Sequence, residues 1–212
     1  EYRSAFNQYI QQSALTITWQ TVVEYLKPNS GDIWALGSDE TLDLRLPGTH
    51  NLQNATLVHK ALERIQPELQ KDSIEALETF PGTDRRFEKL ADNLYSDYGH
   101  HPEEIAATLQ LARELSDHVV LVYQPHQNWR QHFVRDQYTN QFEAAELTYW
   151  LPTYLTRENP DQAVLTPQEL TTTLTNLQTI QYGELNDELW SEIEQHRAAG
   201  KLVVCMGAGP ID

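Results

Sequence analysis

The sequence predicts an α/β protein, a mainly parallel sheet flanked by helices on both faces. Three observations predict it. Beyond residue 82, short apolar runs alternate with longer stretches of helical period. Two of those runs, Val119–Tyr123 (VVLVY) and Leu202–Met206 (LVVCM), are apolar throughout, as buried strands covered on both faces are. The unusual polar residues fall just after strand candidates, at the sheet edge where such folds bind ligands.

Taken in order, residues 1–26 alternate polar and apolar side chains and read like the middle of a domain. Ile33–Gly37 is a short buried-strand candidate, and Leu42–Leu46 alternates leucine with charge at a strand period. A turn at Pro47–Asn51 follows, and Asn51, a good N-cap, precedes a helix running to about Ile65. A shorter helix over Ser73–Thr79 ends at Phe80-Pro81-Gly82, which places a boundary near Gly82 and domains at 1–82 and 83–212. A strand near Asn93–Ser96 leads into the loop Asp97-Tyr98-Gly99-His100-His101. The next helix, Pro102–Leu115, has proline in its first turn, Glu103 and Glu104 at its positive end and Ile105, Leu109 and Ala112 in a stripe. After Val119–Tyr123 a helix is expected over Trp129–Phe142, then a strand over Leu147–Leu151. Helices over Pro167–Leu177 and Leu185–Ala199 flank a weak strand at Thr179–Tyr182, and Leu202–Met206 ends in Gly207-Ala208-Gly209.

Composition narrows the function. A formal charge of −16, from 31 acidic and 15 basic side chains, repels a phosphodiester backbone unless cations are focused locally, so no generic nucleic-acid partner is expected. Small anions remain open, because a few arginines in one cleft hold a phosphate or carboxylate on an acidic protein. No apolar run approaches the roughly 18 residues of a membrane span, so no membrane partner is expected. The single cysteine, Cys205, rules out an internal disulfide and fits a cytoplasmic setting.

The four loops carry Asp97, Tyr98, His100 and His101, then His126 and Arg130, then Tyr154 and Glu158, then Gly207–Gly209. Neighbouring histidines point differently and no second cluster has zinc-like spacing, so no metal cage is assigned. His101 is expected to cap or pack, whereas His100 is a candidate imidazole donor to a substrate. Arg85 and Arg86 stand as a possible anion clamp. Gly207-Ala208-Gly209 is half of a dinucleotide fingerprint with no helix after it, and so reads as a tight turn. Trp129 and the aromatics of Tyr149–Tyr154 are expected in the core or cleft wall.

Read together, LPGTHNLQNA (Leu46–Ala55), FPGTDRRFE (Phe80–Glu88), SDYGHHPEEIAATL (Ser96–Leu109), YQPH (Tyr123–His126) and MGAG (Met206–Gly209) resemble the Mur ligase family in order and spacing. The last three are similar to its UDP-N-acetylmuramate–L-alanine ligases. The resemblance implies a Rossmann-like carboxy-terminal domain over 83–212, preceded by the end part of the central ATPase domain over 1–82. It implies ATP-dependent ligation of L-alanine to UDP-N-acetylmuramate through an acyl phosphate, with Mg2+ bridging phosphates, in the peptidoglycan pathway and by a monomer or weak homodimer. His50, Asn51 and Asn54 would then approach the adenine of ATP, and Arg86 and Asp97 its ribose and phosphates. Tyr98, His100, His126 and Arg130 would face L-alanine and the reacting carboxylate.

The chain departs from the family pattern at Gln127 (usually arginine), at Asn128-Trp129, at Ser96, at Arg157 and at Pro210, which marks a divergent lineage. It also holds no G-x-x-x-x-G-K-[ST] phosphate loop, so it reads as a carboxy-terminal fragment expected to turn over no substrate alone. Two alternatives stand beside this reading: the related peptide-recycling ligase, and a nucleotide- or precursor-binding module without catalysis.

Overall fold

The computed structural model describes residues 2–26 and 32–211; Glu1, residues 27–31 and Asp212 lie outside the described residues. The chain divides into two compact units, Glu1–Phe80 and Pro81–Asp212.

The first unit opens with α1 (Tyr2–Ile10), β1 (Leu15–Trp19) and the single turn α2 (Gln20–Val23). The parallel pair β1 and β2 (Asp32–Leu36) runs in register from Leu15↔Asp32 to Trp19↔Leu36. Two further helices follow, α3 (Thr49–Ile65) and α4 (Pro67–Glu78), tied where His59 Nδ1 meets Ser73 Oγ at 2.7 Å. Leu42–Leu46 forms no strand. Leu44 is buried as the alternation requires, but side chains take up the backbone groups that a strand partner would bind. Thr56 Oγ1 accepts from Leu42 N (3.0 Å) and Glu78 Oε1 from Arg45 N (3.1 Å). Nor is Asn51 the N-cap of α3: Gly48, at φ 89°, holds that place, and Asn51 Nδ2 instead donates to Pro47 O at 2.9 Å.

The second unit is the predicted α/β layer structure. Its strands β3 (Glu88–Ala91), β4 (Leu94–Asp97), β5 (Val119–Tyr123), β6 (Leu147–Trp150), β7 (Ile180–Tyr182) and β8 (Leu202–Met206) lie in the order β3-β4-β8-β5-β6-β7. All neighbours pair in parallel except the edge hairpin β3–β4. Around them stand α5 (Pro102–Leu115), α6 (Asn128–Val134), α7 (Pro167–Thr171) and α8 (Asp187–Ala198).

Why β5 and β8 are apolar at every position is now visible. Successive side chains of a strand point to opposite faces, and each face has its own core. Val119, Leu121 and Tyr123 pack with Leu202, Val204, Met206, Ile105 and Leu109 on one side. Val120 and Val122 join Val203, Cys205, Leu189 and Ile193 on the other. Each fully buried aliphatic side chain contributes about 1.5–3 kcal/mol, so the two faces together supply most of this unit's driving force. The expected helix over Trp129–Phe142 is shorter: α6 ends at Val134 and a 3-10 turn follows over Arg135–Gln137. Likewise the helix from Pro167 stops at Thr171, short of Leu177.

Candidate active site

Because β4, β8, β5 and β6 are neighbours and parallel, their carboxyl ends lie on one edge of the sheet. The loops that follow them converge there. Four rings form a continuous series: Tyr98 meets His100 edge-on at 5.7 Å, His100 meets His126 at 5.6 Å, and His126 lies parallel to Tyr154 at 5.9 Å. They come from the ends of three different strands.

Each loop is fixed by its own residues. Asp97 is buried, and its Oδ1 accepts from Gly99 N (2.7 Å) and Thr108 Oγ1 (3.1 Å) while Oδ2 accepts from Phe87 N (2.9 Å). Burial raises the Asp97 pKa, and those three donors together with Arg86 work against that rise. A side chain at Gly99 would place Cβ 2.7 Å from Asp97 Oδ1, so glycine is what lets this turn close. Past it, Glu104 reaches back from the first turn of α5 to the backbone N–H of His100 (3.1 Å) and His101 (3.2 Å). Burial pushes against the Glu104 carboxylate, yet the two N–H donors hold its pKa below the ordinary value. His101 itself occupies the N-cap position of α5.

His100 Nδ1 lies 3.0 Å from the Tyr98 carbonyl, which can only accept, so the ring carries a proton on Nδ1. His126 differs. Its Nδ1 is buried without a hydrogen-bond partner among the described residues, and burial, then the His100 and Arg130 charges, lower its pKa. Both effects favour its uncharged form. Its backbone is held by Gln131 Nε2 on the His126 carbonyl (2.9 Å), and Gln131 Oε1 accepts from Tyr138 Oη (2.6 Å). Tyr138 in turn meets the Tyr123 hydroxyl at 3.0 Å.

Gln127, at φ 61°, turns the chain into α6, and Glu158 caps that helix through Asn128 N (3.0 Å) and Trp129 N (3.2 Å). Arg130 sits half-buried in the first turn of α6 with its guanidinium 5.7 Å from the Trp129 ring. Trp129, expected in the core or cleft wall, is 37% exposed.

The structure therefore brings together Asp97, Tyr98, His100, His126 and Arg130, with Arg86 over the Tyr98 ring at 5.5 Å. His50, Asn51 and Asn54 lie in the first unit, in the first two turns of α3. Sequence reasoning placed Glu104 at the start of its helix without its bonds to His100 and His101, and missed Gln131 and the stacking role of Tyr154. Their positions at strand ends and in first helical turns were the available signal. A cavity of about 490 Å³ lined by Tyr149, Tyr182, Glu184, Glu188 and Glu192 contains none of the predicted site residues. Among the described residues, no helix is long and apolar enough to cross a membrane.

The histidines set a pH dependence. Burial lowers the pKa of both His126 and His196, so the unfolded chain binds their protons first as pH falls through about 6.5. Where the unfolded state holds more protons, stability drops with falling pH. The urea midpoint of the second unit is expected to decrease between pH 7 and pH 5.5, and less so in His126→Gln. An unchanged midpoint over that interval would contradict the assignment. Loss through Glu104 and Glu146, whose pKa values are lowered, belongs to a separate window below about pH 4.5.

Comparison with known proteins agrees with this architecture. Residues 85–209 match the family model described as Mur ligase, glutamate ligase domain. A UDP-N-acetylmuramate–L-alanine ligase of Jannaschia sp. (strain CCS1) is 33% identical over 194 residues, covering 84% of this chain and 39% of that protein. Another, from Carboxydothermus hydrogenoformans, is 33% identical over 177 residues, covering 81% of this chain and 38% of the relative. The chain thus spans well under half the length of these curated relatives. Among solved structures, the UDP-N-acetylmuramate-alanine ligase of Thermotoga maritima superposes with a TM-score of 0.65 at 24% identity, covering 99% of this chain and 52% of that one. A murein peptide ligase of Psychrobacter arcticus gives a TM-score of 0.63 at 20% identity with the same coverage. At such identities the two structures bear on the fold alone. The family match over residues 85–209 carries the assignment: the chain belongs to the Mur ligase family.

Proposed function

We propose that this chain carries the amino-acid half-site, and part of the ATP site, of a cytoplasmic ligase joining L-alanine to UDP-N-acetylmuramate in peptidoglycan precursor synthesis. The observation that supports it best is the convergence of Tyr98, His100 and His126 at one sheet edge, inside the region that matches the family.

In this reading a substrate carboxylate takes the γ-phosphoryl group of ATP, and the amine of L-alanine attacks the resulting acyl phosphate. A C–N bond forms, the C–O bond to phosphate breaks, and the amine loses a proton. Arg130 holds the alanine carboxylate through its guanidinium fork. Tyr98 and His100 position the reacting carboxyl group and stabilise charge that develops on its oxygen. His126, whose uncharged form is favoured by burial, is the group able to take the amine proton. Arg86 meets the phosphates and Asp97 the ribose side of the nucleotide, while His50, Asn51 and Asn54 lie toward adenine. Among the described residues there is no group of three or more His, Cys, Asp or Glu that could hold a metal ion, and no step is assigned to Mg2+.

The test uses the full-length parent with ATP, UDP-N-acetylmuramate and either L-alanine or a tripeptide as acceptor. L-alanine is expected to be joined and the tripeptide refused. Arg130→Ala is expected to raise the KM for L-alanine roughly 10–100-fold, the loss of one charge-assisted contact of about 1.5–3 kcal/mol, with a smaller change in kcat. An unchanged alanine dependence would remove Arg130 from the site. Phosphate release with the tripeptide alone would favour the recycling reaction.

A further inference from the structure

The ring series ends at Tyr98 and at Tyr154, and Arg85 stacks on the first while bonding the turn that lies against the second. At one end the Arg85 guanidinium lies over the Tyr98 ring at 5.0 Å. At the other, Arg85 Nη2 donates to the carbonyls of Gly207 (2.8 Å) and Gly209 (2.7 Å), across the turn that follows β8. That turn lies close against Tyr154: a Cβ built on Gly209 would stand 2.6 Å from Gln124 Oε1, 2.8 Å from Tyr154 Cγ and 3.0 Å from Tyr154 Cβ. The Tyr154 ring is stacked on His126, with 11° between the planes.

We infer that Arg85 is a positioning residue, setting the plane of the His126 imidazole through the Gly207–Gly209 turn and the Tyr154 ring. The inference rests on the proposed reading of His126 as a site residue. One terminal guanidinium nitrogen carries two hydrogens at a fixed angle, so it grips two carbonyls at once while the planar group stacks on tyrosine. Lysine has the charge but neither the plane nor the fork.

The backbone shows that Arg85 is held for this task. Its φ of 55° is a left-handed conformation uncommon for a side-chain-bearing residue. Such a residue persists only where its surroundings over-determine it. Here Arg85 N donates to Glu88 Oε2 (2.8 Å) and Arg85 O accepts from Tyr98 N (2.7 Å), so both sides of the residue are fixed. Tyr154 is fixed as well, through its N–H on Pro125 O (2.8 Å) and its carbonyl on Gln127 N (3.0 Å), the two residues flanking His126. The turn therefore bears on the Tyr154 ring, while backbone bonds tie Tyr154 to the residues on either side of His126.

Imidazole proton spectra of this chain test it, with the His126 signals assigned by their loss in His126→Gln. The Tyr154 ring stacked on His126 displaces those signals through its ring current. In Arg85→Ala and in Gly209→Ala they are expected to move back toward the position of the exposed His118, while His59 in the other unit stays put. Arg85→Lys, which keeps the charge, is expected to shift them in the same direction. Arg86→Ala removes an equal charge from the same tyrosine without touching the turn, and should leave His126 in place. Should Arg85→Ala fail to fold, Arg85→Lys and Gly209→Ala decide the matter. His126 signals that stay unmoved in the folded variants would overturn the inference. In the full-length parent, Arg85→Lys is expected to lower kcat roughly 10–100-fold at unchanged KM for ATP, the cost of a small misplacement of a reacting group. A parent without ligation would defeat the proposed function and leave the spectral result to stand by itself. Ligation with unmoved spectra would defeat only the role given to Arg85.

Discussion

Asp97→Ala is expected to cost the second unit about 3–5 kcal/mol, measured as the loss of unfolding free energy in urea and followed through signals of that unit. The carboxylate is 5% exposed and receives three donors, from Gly99, Thr108 and Phe87. Removing it strands two backbone N–H groups and a hydroxyl in a largely buried site, at about 1–3 kcal/mol each. The loss stays below the sum because burial already disfavours the charged carboxyl, so its deletion relieves part of that penalty. Asp97→Asn keeps the shape but turns an amide N–H2 toward one of the donors, and is expected to cost about half as much. Should the alanine variant lie within about 1 kcal/mol of the parent, the three bonds would not anchor the loop. The consequence reaches the site, since Tyr98, His100 and Glu104 follow directly from the turn that Asp97 closes.

How much of this was legible in the sequence depends on whether a residue's partner is near or far along the chain. VVLVY and LVVCM announce themselves, because a strand covered on both faces has no polar position to disguise it. The loops after the strands were equally plain, and parallel topology then forces their contents onto one edge. By contrast β3 (Glu88–Ala91), two of its four residues charged and paired only with β4 at the sheet's edge, carries no burial pattern to read. Leu42–Leu46 shows the opposite failure: a real alternation whose backbone groups went to Thr56 and Glu78 in place of a neighbouring strand. Arg85 was read as half of an anion clamp, whereas its Nη2 is engaged by carbonyls more than a hundred residues away, at Gly207 and Gly209. Nothing local marks such a bond. The same holds for Gln131, whose use is evident only once Tyr138 and the His126 carbonyl stand on either side of it.

Trp150→Ala is expected to destabilise the second unit by about 3–5 kcal/mol, whereas Trp150→Phe should stay within about 1.5 kcal/mol of the parent. The indole is fully buried against Tyr123 (5.0 Å between ring centres), Phe142 (4.9 Å) and Tyr138 (5.5 Å), so truncation removes three aromatic contacts and leaves a cavity the rigid sheet cannot close. Phenylalanine also leaves space, but it removes something unfavourable. Trp150 Nε1 is buried without a hydrogen-bond partner among the described residues, a cost of about 1–3 kcal/mol that the native fold carries and the variant sheds. The two substitutions therefore separate packing from polarity at one position. Equal losses in both would mean that the indole nitrogen has a hydrogen-bond partner in solution, which leaves the packing argument standing and overturns the one about its unpaired proton. The cluster also backs the site, because the Tyr123 hydroxyl lies 3.4 Å from the His100 carbonyl and 3.0 Å from Tyr138, which leads through Gln131 to His126. Spectral broadening of His100 and His126 in Trp150→Ala, with sharp signals in Trp150→Phe, is the expected sign that ring packing behind the sheet edge holds both imidazoles still.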